Sequence, residues 1–414
     1  MLRYTKNEKS YYFVIIFLSV ELLINFLFSF SNIGGFSLAP YTRMILILFT
    51  GVFFIFDISK LKVPKRISLK KILLSNIFVY GWAFFSFVGV FISVINKNSV
   101  LYTITDSFYV FFGSLLFYVS ERNLFPQKTN KYFFIKFSRI LVALSLICLF
   151  FEFKPPALLL VLTTVLLYIN FINRRALDFI ILLIPYAILV VSTNRAQLVV
   201  FLLTFFILFL KKTRAFLSKS LVLFMGITAA TLLYIFRLEI IDSILPFFDR
   251  TSDIGWRIYQ LSAALREDVD YSSPYFVSIT QRLIEAEVVI QYWTQNIFTF
   301  LFGIGPGATI DGTIFFIDDS VLNSALLGSN QIHNIHLLPF AFIFRYGMVG
   351  LFFFSVLCIV LYNSLIKLLD EKENDRIMFW NLFLVCWFFF SIPASSFLWT
   401  MPVFWISLSM IKKE

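Results

Sequence analysis

Apolar runs about as long as a bilayer is thick recur along most of the chain, and they restrict the fold more than any other feature. Tyr11–Phe30 opens the series, and similar runs follow at 41–58, 72–95, 103–120, 137–153, 156–173, 176–192, 196–210, 220–237, 336–362, 377–392 and 396–410. A hydrocarbon core needs about 17–25 apolar residues per helix, and inside it only helices or closed barrels satisfy their own backbone. With 59% hydrophobic and 14% charged residues over 414 positions, the chain has too little polar surface to cover a soluble globule. The expected fold class is therefore all-α: a polytopic membrane protein of about twelve spans. The basic opening "MLRYTKNEKS" resembles the start of a signal peptide. The run behind it is about 20 residues long and no small-residue cleavage site follows closely, so an uncleaved first span is expected.

The net charge of +11 invites a nucleic-acid reading, which the placement of the basic residues makes unnecessary. "SKLKVPKRISLKK", "ERNLFPQKTNKYFFIK", "NRR" and "KKTRAFLSK" fall on alternate connections, and the opposite connections carry single charges. The positive-inside rule then places those loops and both termini in the cytoplasm. Spans occupy 1–237 and 336–414, and one long loop, 238–335, lies on the other side. That loop has four arginines, no lysine and twelve acids, a net charge of −8. Loops of such length are usually functional. Within it "QRLIEAEVVIQYWTQNIF" places Leu283, Ile284, Val288, Val289, Tyr292 and Trp293 at helical spacing, predicting one amphipathic helix on the membrane or on the bundle. "FGIGPGATIDG" predicts a tight turn whose glycines permit close backbone approach.

Few side chains can carry chemistry. The only two histidines, His333 and His336, sit together in "SNQIHNIHLLPF", at the mouth of the tenth span. A zinc site needs three or four ligands, and two histidines without a nearby cysteine or HExxH pattern predict no metal. Cys148, Cys358 and Cys386 all fall in apolar runs without CxxC spacing and read as buried thiols. A histidine beside Asn334 at the outer surface suits proton removal from a hydroxyl, so His333 is the candidate base and His336 shapes the pocket. Arg195, after Ser192, Thr193 and Asn194, stands at the outer turn between two apolar runs, a donor-rich corner suited to phosphate oxygens. Arg282, Arg257 and Arg250 are further candidates for bidentate phosphate contact, and Arg266 in "REDVD" reads as a solvated pair. Asp318 and Asp319 form an adjacent acidic pair that reads as solvated. Glu21 and Arg345 are noted as charges inside spans; Arg345 either pairs within the bundle or reaches the site.

"STNRAQLVVFLLTFFILF", "QRLIEAEVVIQYWTQNIFTFLFGIGPG" and "HNIHLLPFAFIFRYGMVGLFFF" occur in that order on about 170 residues. Together they resemble the O-antigen polymerase and O-antigen ligase family of bacterial membrane glycosyltransferases. The resemblance implies transfer of sugar chains from undecaprenyl diphosphate at the periplasmic face of the inner membrane. Lipid-linked oligosaccharide would be donor and acceptor, and a chain-length regulator and a flippase are the protein partners it admits. It implies no cofactor, with arginines in place of a divalent cation. Arg195 then corresponds to the family's arginine, although the local sequence is "NRA" rather than "SRG". Arg282 opens the loop helix and His333 precedes asparagine; Arg257 and Gly305 correspond less closely. A polymerase is the first expectation, a ligase to lipid A core the second. A flippase or transporter of lipid-linked sugar is the third, and it would place charges in mid-span and show repeat symmetry.

Overall fold

A computed structural model describes residues 18–20, 74–123, 131–150, 155–193, 195–212, 277–311, 331–369 and 375–411, with isolated positions 239, 242–243, 246 and 259. These residues are almost entirely helical. The expected spans at 41–58 and 220–237, most of 11–30, and Glu21 lie outside them, as do Asn194, Arg250, Arg257, Asp318 and Asp319.

Among the described residues, three helices are long and apolar enough to cross a membrane: Leu74–Ile95 (α1), the 100–118 part of Val100–Asn123 (α2), and Leu338–Leu369 (α9). Between them come Lys131–Phe150 (α3), Ala157–Ile172 (α4), Ala176–Thr193 (α5), Arg195–Lys212 (α6), Val277–Thr294 (α7) and Ile297–Phe302 (α8). Asp375–Ser391 (α10), Ser396–Thr400 (α11) and Pro402–Met410 (α12) close the chain. A two-residue antiparallel ladder pairs Ile310–Asp311 (β1) with Gln331–Ile332 (β2).

Pro155 and Pro156 explain where α4 begins. Proline fixes φ and needs no intrahelical partner for its missing N–H, so it precedes a helix without penalty. Every residue from Leu158 to Asn170 is buried, because α4 packs on α5, α6 and α10. Helix α10 is enclosed as well, with Trp380 and Trp387 almost fully buried. Phenylalanine serves both environments: Phe84, Phe87 and Phe91 face outward from α1, while Phe379, Phe383 and Phe404 fill the interior.

Two expected elements are divided. The amphipathic stretch breaks after Thr294, because Asn296 caps a new helix. Its side chain accepts from the Thr299 N–H while the Thr299 hydroxyl accepts from the Asn296 N–H. Val288 and Val289 of α7 are buried and α7 packs on α9, yet Leu283 is exposed. The last apolar run, 396–410, is interrupted at Met401, whose extended backbone precedes Pro402.

Helix α9 is kinked. Gly347 has φ 58° and ψ −138°, a conformation open to glycine alone. The break leaves the Phe344 and Arg345 carbonyls without helical donors, and the N–H groups of Ile304 and Gly305 donate to them at 2.9 and 3.0 Å. Gly303 lies against the kink with φ 73°; a Cβ there would come within 2.5 Å of Arg345 backbone, and one at Gly347 within 2.6 Å of the Gly303 nitrogen. Two glycines therefore face each other where the 300–303 and 345–347 backbones meet directly. Gly347→Ala should cost at least about 1–3 kcal/mol from backbone strain alone, read as a lower unfolding midpoint in detergent.

Candidate functional site

The glycine turn is enclosed on every side. Side chains at the end of α1 and the start of α2 cradle its carbonyls: Asn96 and Asn98 donate to Ile304 at 2.9 and 3.0 Å. Ser93, Asn98 and Thr103 donate to the Pro306 carbonyl at 2.6, 3.1 and 3.1 Å. The Gly307 N–H donates to Asp106 at 3.1 Å. Its glycines permit close approach, and what approaches is the protein's own backbone and side chains. The Gly305 N–H is taken by Arg345 and is not presented to a ligand.

Asp106, on α2, is the centre of one polar cluster. Its Oδ2 accepts from Arg345 Nε at 2.8 Å and from Gly307, and its Oδ1 accepts from His333 Nε2 at 3.3 Å. Arg345 also donates through Nη2 to the His333 carbonyl at 3.2 Å, and its guanidinium carbon lies 5.3 Å from the centre of the Trp399 ring. The three side chains are 9%, 3% and 10% exposed for Asp106, Arg345 and His333. A guanidinium so enclosed needs an acid, a carbonyl and an aromatic face together, since an unpaired buried charge is costly.

His333 is held on three sides. Nδ1 lies 3.1 Å from the Ala308 carbonyl oxygen, Nε2 lies 3.3 Å from Asp106 Oδ1, and Tyr102 stacks on the ring at 4.2 Å with planes 4° apart. Both ring nitrogens thus face protein groups, and neither is open to a substrate in this arrangement.

His336 differs. Its Nδ1–H donates to Glu285 at 2.9 Å, and its backbone N–H donates to the other carboxylate oxygen at 3.0 Å. Glu285, on α7, is 1% exposed and also accepts from Gln281 at 3.0 Å, while His336 is 36% exposed. Among the described residues, Nε2 of His336 has no hydrogen-bond partner. The segment is fixed from behind by the turn after α10: the Ser395 N–H donates to the His336 carbonyl at 2.9 Å, and the Ser395 hydroxyl donates to the Ile335 carbonyl. A buried carboxylate on one nitrogen, an open second nitrogen and a rigid backbone are what an acid–base histidine requires.

The other expected site residues are placed as follows. Arg282 stands one turn before Glu285 on α7; burial lowers its pKa from the ordinary arginine value and the Glu285 carboxylate opposes that. Asn334 is exposed between the two histidines. Arg195 begins α6. The structure thus joins His333, Arg345 and the Gly305 turn in one cluster and His336 and Arg282, through Glu285, in another. Asp106, Glu285 and Tyr102 were not among the expected site residues. Asp106 had a signal, an acid inside the apolar run "TITDSFYVFF".

Comparison of the chain with protein-family models, with curated proteins and with solved structures finds no match. The resemblance to the polymerase and ligase family therefore rests on the sequence segments alone.

Asp106→Ala would leave the buried Arg345 without its acid, and should cost about 3–5 kcal/mol. The double variant Asp106→Leu with Arg345→Met should regain much of that loss. Thermal unfolding of the purified protein in detergent measures both.

Proposed function

We propose that the chain polymerises undecaprenyl-diphosphate-linked oligosaccharide repeat units at the outer face of the bacterial cytoplasmic membrane. The order of the three family-like segments supplies the substrate class. The Glu285–His336 pair is the observation that carries the chemistry. It supports proton transfer at a hydroxyl, in a protein whose exposed helical surface is apolar enough to face lipid.

In this reading the acceptor hydroxyl gives its proton to Nε2 of His336, and Glu285 stabilises the imidazolium that forms. The hydroxyl oxygen bonds to the anomeric carbon of the donor sugar. The bond from that carbon to the diphosphate breaks, and undecaprenyl diphosphate leaves with the electron pair. Arg282, with Arg195, Arg250 and Arg257, binds the diphosphate oxygens and stabilises the charge that develops there. The role of base moves from His333 to His336 because only His336 keeps an open nitrogen.

One observation favours a second reading. Asp106 and Arg345 are ionisable residues within long apolar helices, as a transporter of lipid-linked sugar would have. Their charges face each other and fasten a turn, which weighs against a passage for substrate.

Purified protein in detergent, given lipid-diphosphate repeat units and EDTA, should lengthen the chains on a gel. His336→Ala should lower that rate by about 10²–10⁴-fold, with Glu285→Gln intermediate. Failure of the wild-type protein to elongate, together with movement of lipid-linked sugar across liposomes that hold it, would replace the polymerase with the transporter.

A further inference from the structure

We infer that α8 is a membrane seat: its free face, Ile297, Phe298 and Leu301, lies among lipid acyl chains at the edge of the hydrocarbon, on the side that carries the histidine segment. Two helices of membrane length mark that edge. Helix α1 runs 22 residues from Leu74 to Ile95, about 33 Å at a rise of about 1.5 Å per residue. The residue after it, Asn96, donates to the Ile304 carbonyl. In α9, the stretch from Gly347 to Ile366, just before Lys367, is about 20 residues and about 30 Å long, the thickness of a hydrocarbon core. The Phe344 carbonyl, beside that kink, accepts from the Ile304 N–H. Both lengths therefore end at Ile304, just after α8 closes at Phe302.

The surface changes character at the same level. None of residues 338–347 is exposed, whereas Met348, Phe352, Ile359, Tyr362 and Ile366 are. Protein covers α9 before the kink, and an apolar medium is needed to cover it afterwards. On α1 the exposed apolar residues continue to Val94 and Ile95, at the end of that helix. The free face of α8 extends this surface: Ile297, Phe298 and Leu301 are 74%, 41% and 40% exposed. They are held in place. Asn296 caps the helix, Thr299 is buried, Trp293 stacks on Phe300 at 5.0 Å and donates to its carbonyl, and Gly303 abuts Gly347. The polar residues Glu287, Gln291 and Gln295 are exposed before α8 begins. A rigid apolar face at the rim of a lipid-facing surface takes the same occupant as that surface. The stretch expected as one amphipathic helix thus divides its duties: α7 packs on the bundle through Val288 and Val289, and α8 meets lipid.

Spin labels placed one at a time on the full-length protein test this. Cys148 and Cys386 are buried, so Cys358→Ala gives a parent without a reachable thiol. Ile297→Cys, Phe298→Cys and Leu301→Cys carry the label on α8; Phe352→Cys is the lipid reference and Glu287→Cys the water reference. Each protein is reconstituted into vesicles of phosphatidylethanolamine and phosphatidylglycerol. Collision of the label with oxygen, which concentrates in hydrocarbon, is compared with collision with a water-soluble nickel chelate. The oxygen-to-nickel ratio at the three α8 positions should exceed that at 287 several-fold and approach that at 352. A ratio as low as that at 287 overturns the inference. Low collision with both reagents also overturns it, since another protein surface, such as a second copy, then covers the face. Three positions keep the test decisive if one variant does not fold. No lipid-linked sugar is needed: a seated α8 beside absent elongation removes the polymerase reading and keeps this one.

Discussion

A buried carboxylate that receives donors from three distant parts of the chain cannot be moved without stranding all three. Asp106 holds the Arg345 guanidinium, the His333 ring and the Gly307 N–H at once. Each donor belongs to a different segment: the last long helix, the histidine segment and the glycine turn. In a medium with little water, none of them finds a replacement partner, so the carboxylate fixes their mutual positions as well as their charge. The candidate site is built outward from that point.

The kink in α9 and the glycine turn depend on each other in the same way. Breaking the helix at Gly347 frees two carbonyls, and the turn supplies the two N–H groups that satisfy them. The turn in turn exposes carbonyls, and the asparagine, serine and threonine side chains at the α1–α2 junction cover those. Irregular backbone among apolar helices persists only where protein satisfies it. Here that requirement also brings Arg345 to Asp106, two residues before the kink, and sets the segment that carries His336.

Much of the helical framework was legible because its limits are chemical. Prolines before Ala157, the "NRR" turn and the lysines after Leu210 bound α4 to α6 within a few residues of their expected ends. Arg345 stood out as a charge in an apolar run. Asp106 carries the same signal more weakly, since it lies only six residues after the start of α2 and passes for an interfacial residue. Glu285 was one of twelve acids in an acidic loop, and nothing local marks it, because its partner His336 is 51 residues away. The glycines announced a tight approach without saying to what. His333 was preferred over His336 on its neighbour Asn334, whereas the roles are decided by which nitrogens other groups occupy, a fact of tertiary contact.

Amide hydrogen exchange of the wild-type protein in detergent tests most directly whether Asp106 and the α9 kink fasten this turn to the bundle. The account predicts that Ile304, Gly305 and Gly307 exchange as slowly as the enclosed helix α4, although they lie in a turn. Exchange at the rate of a solvated loop would contradict it, and would leave the histidine segment without the support assigned to it.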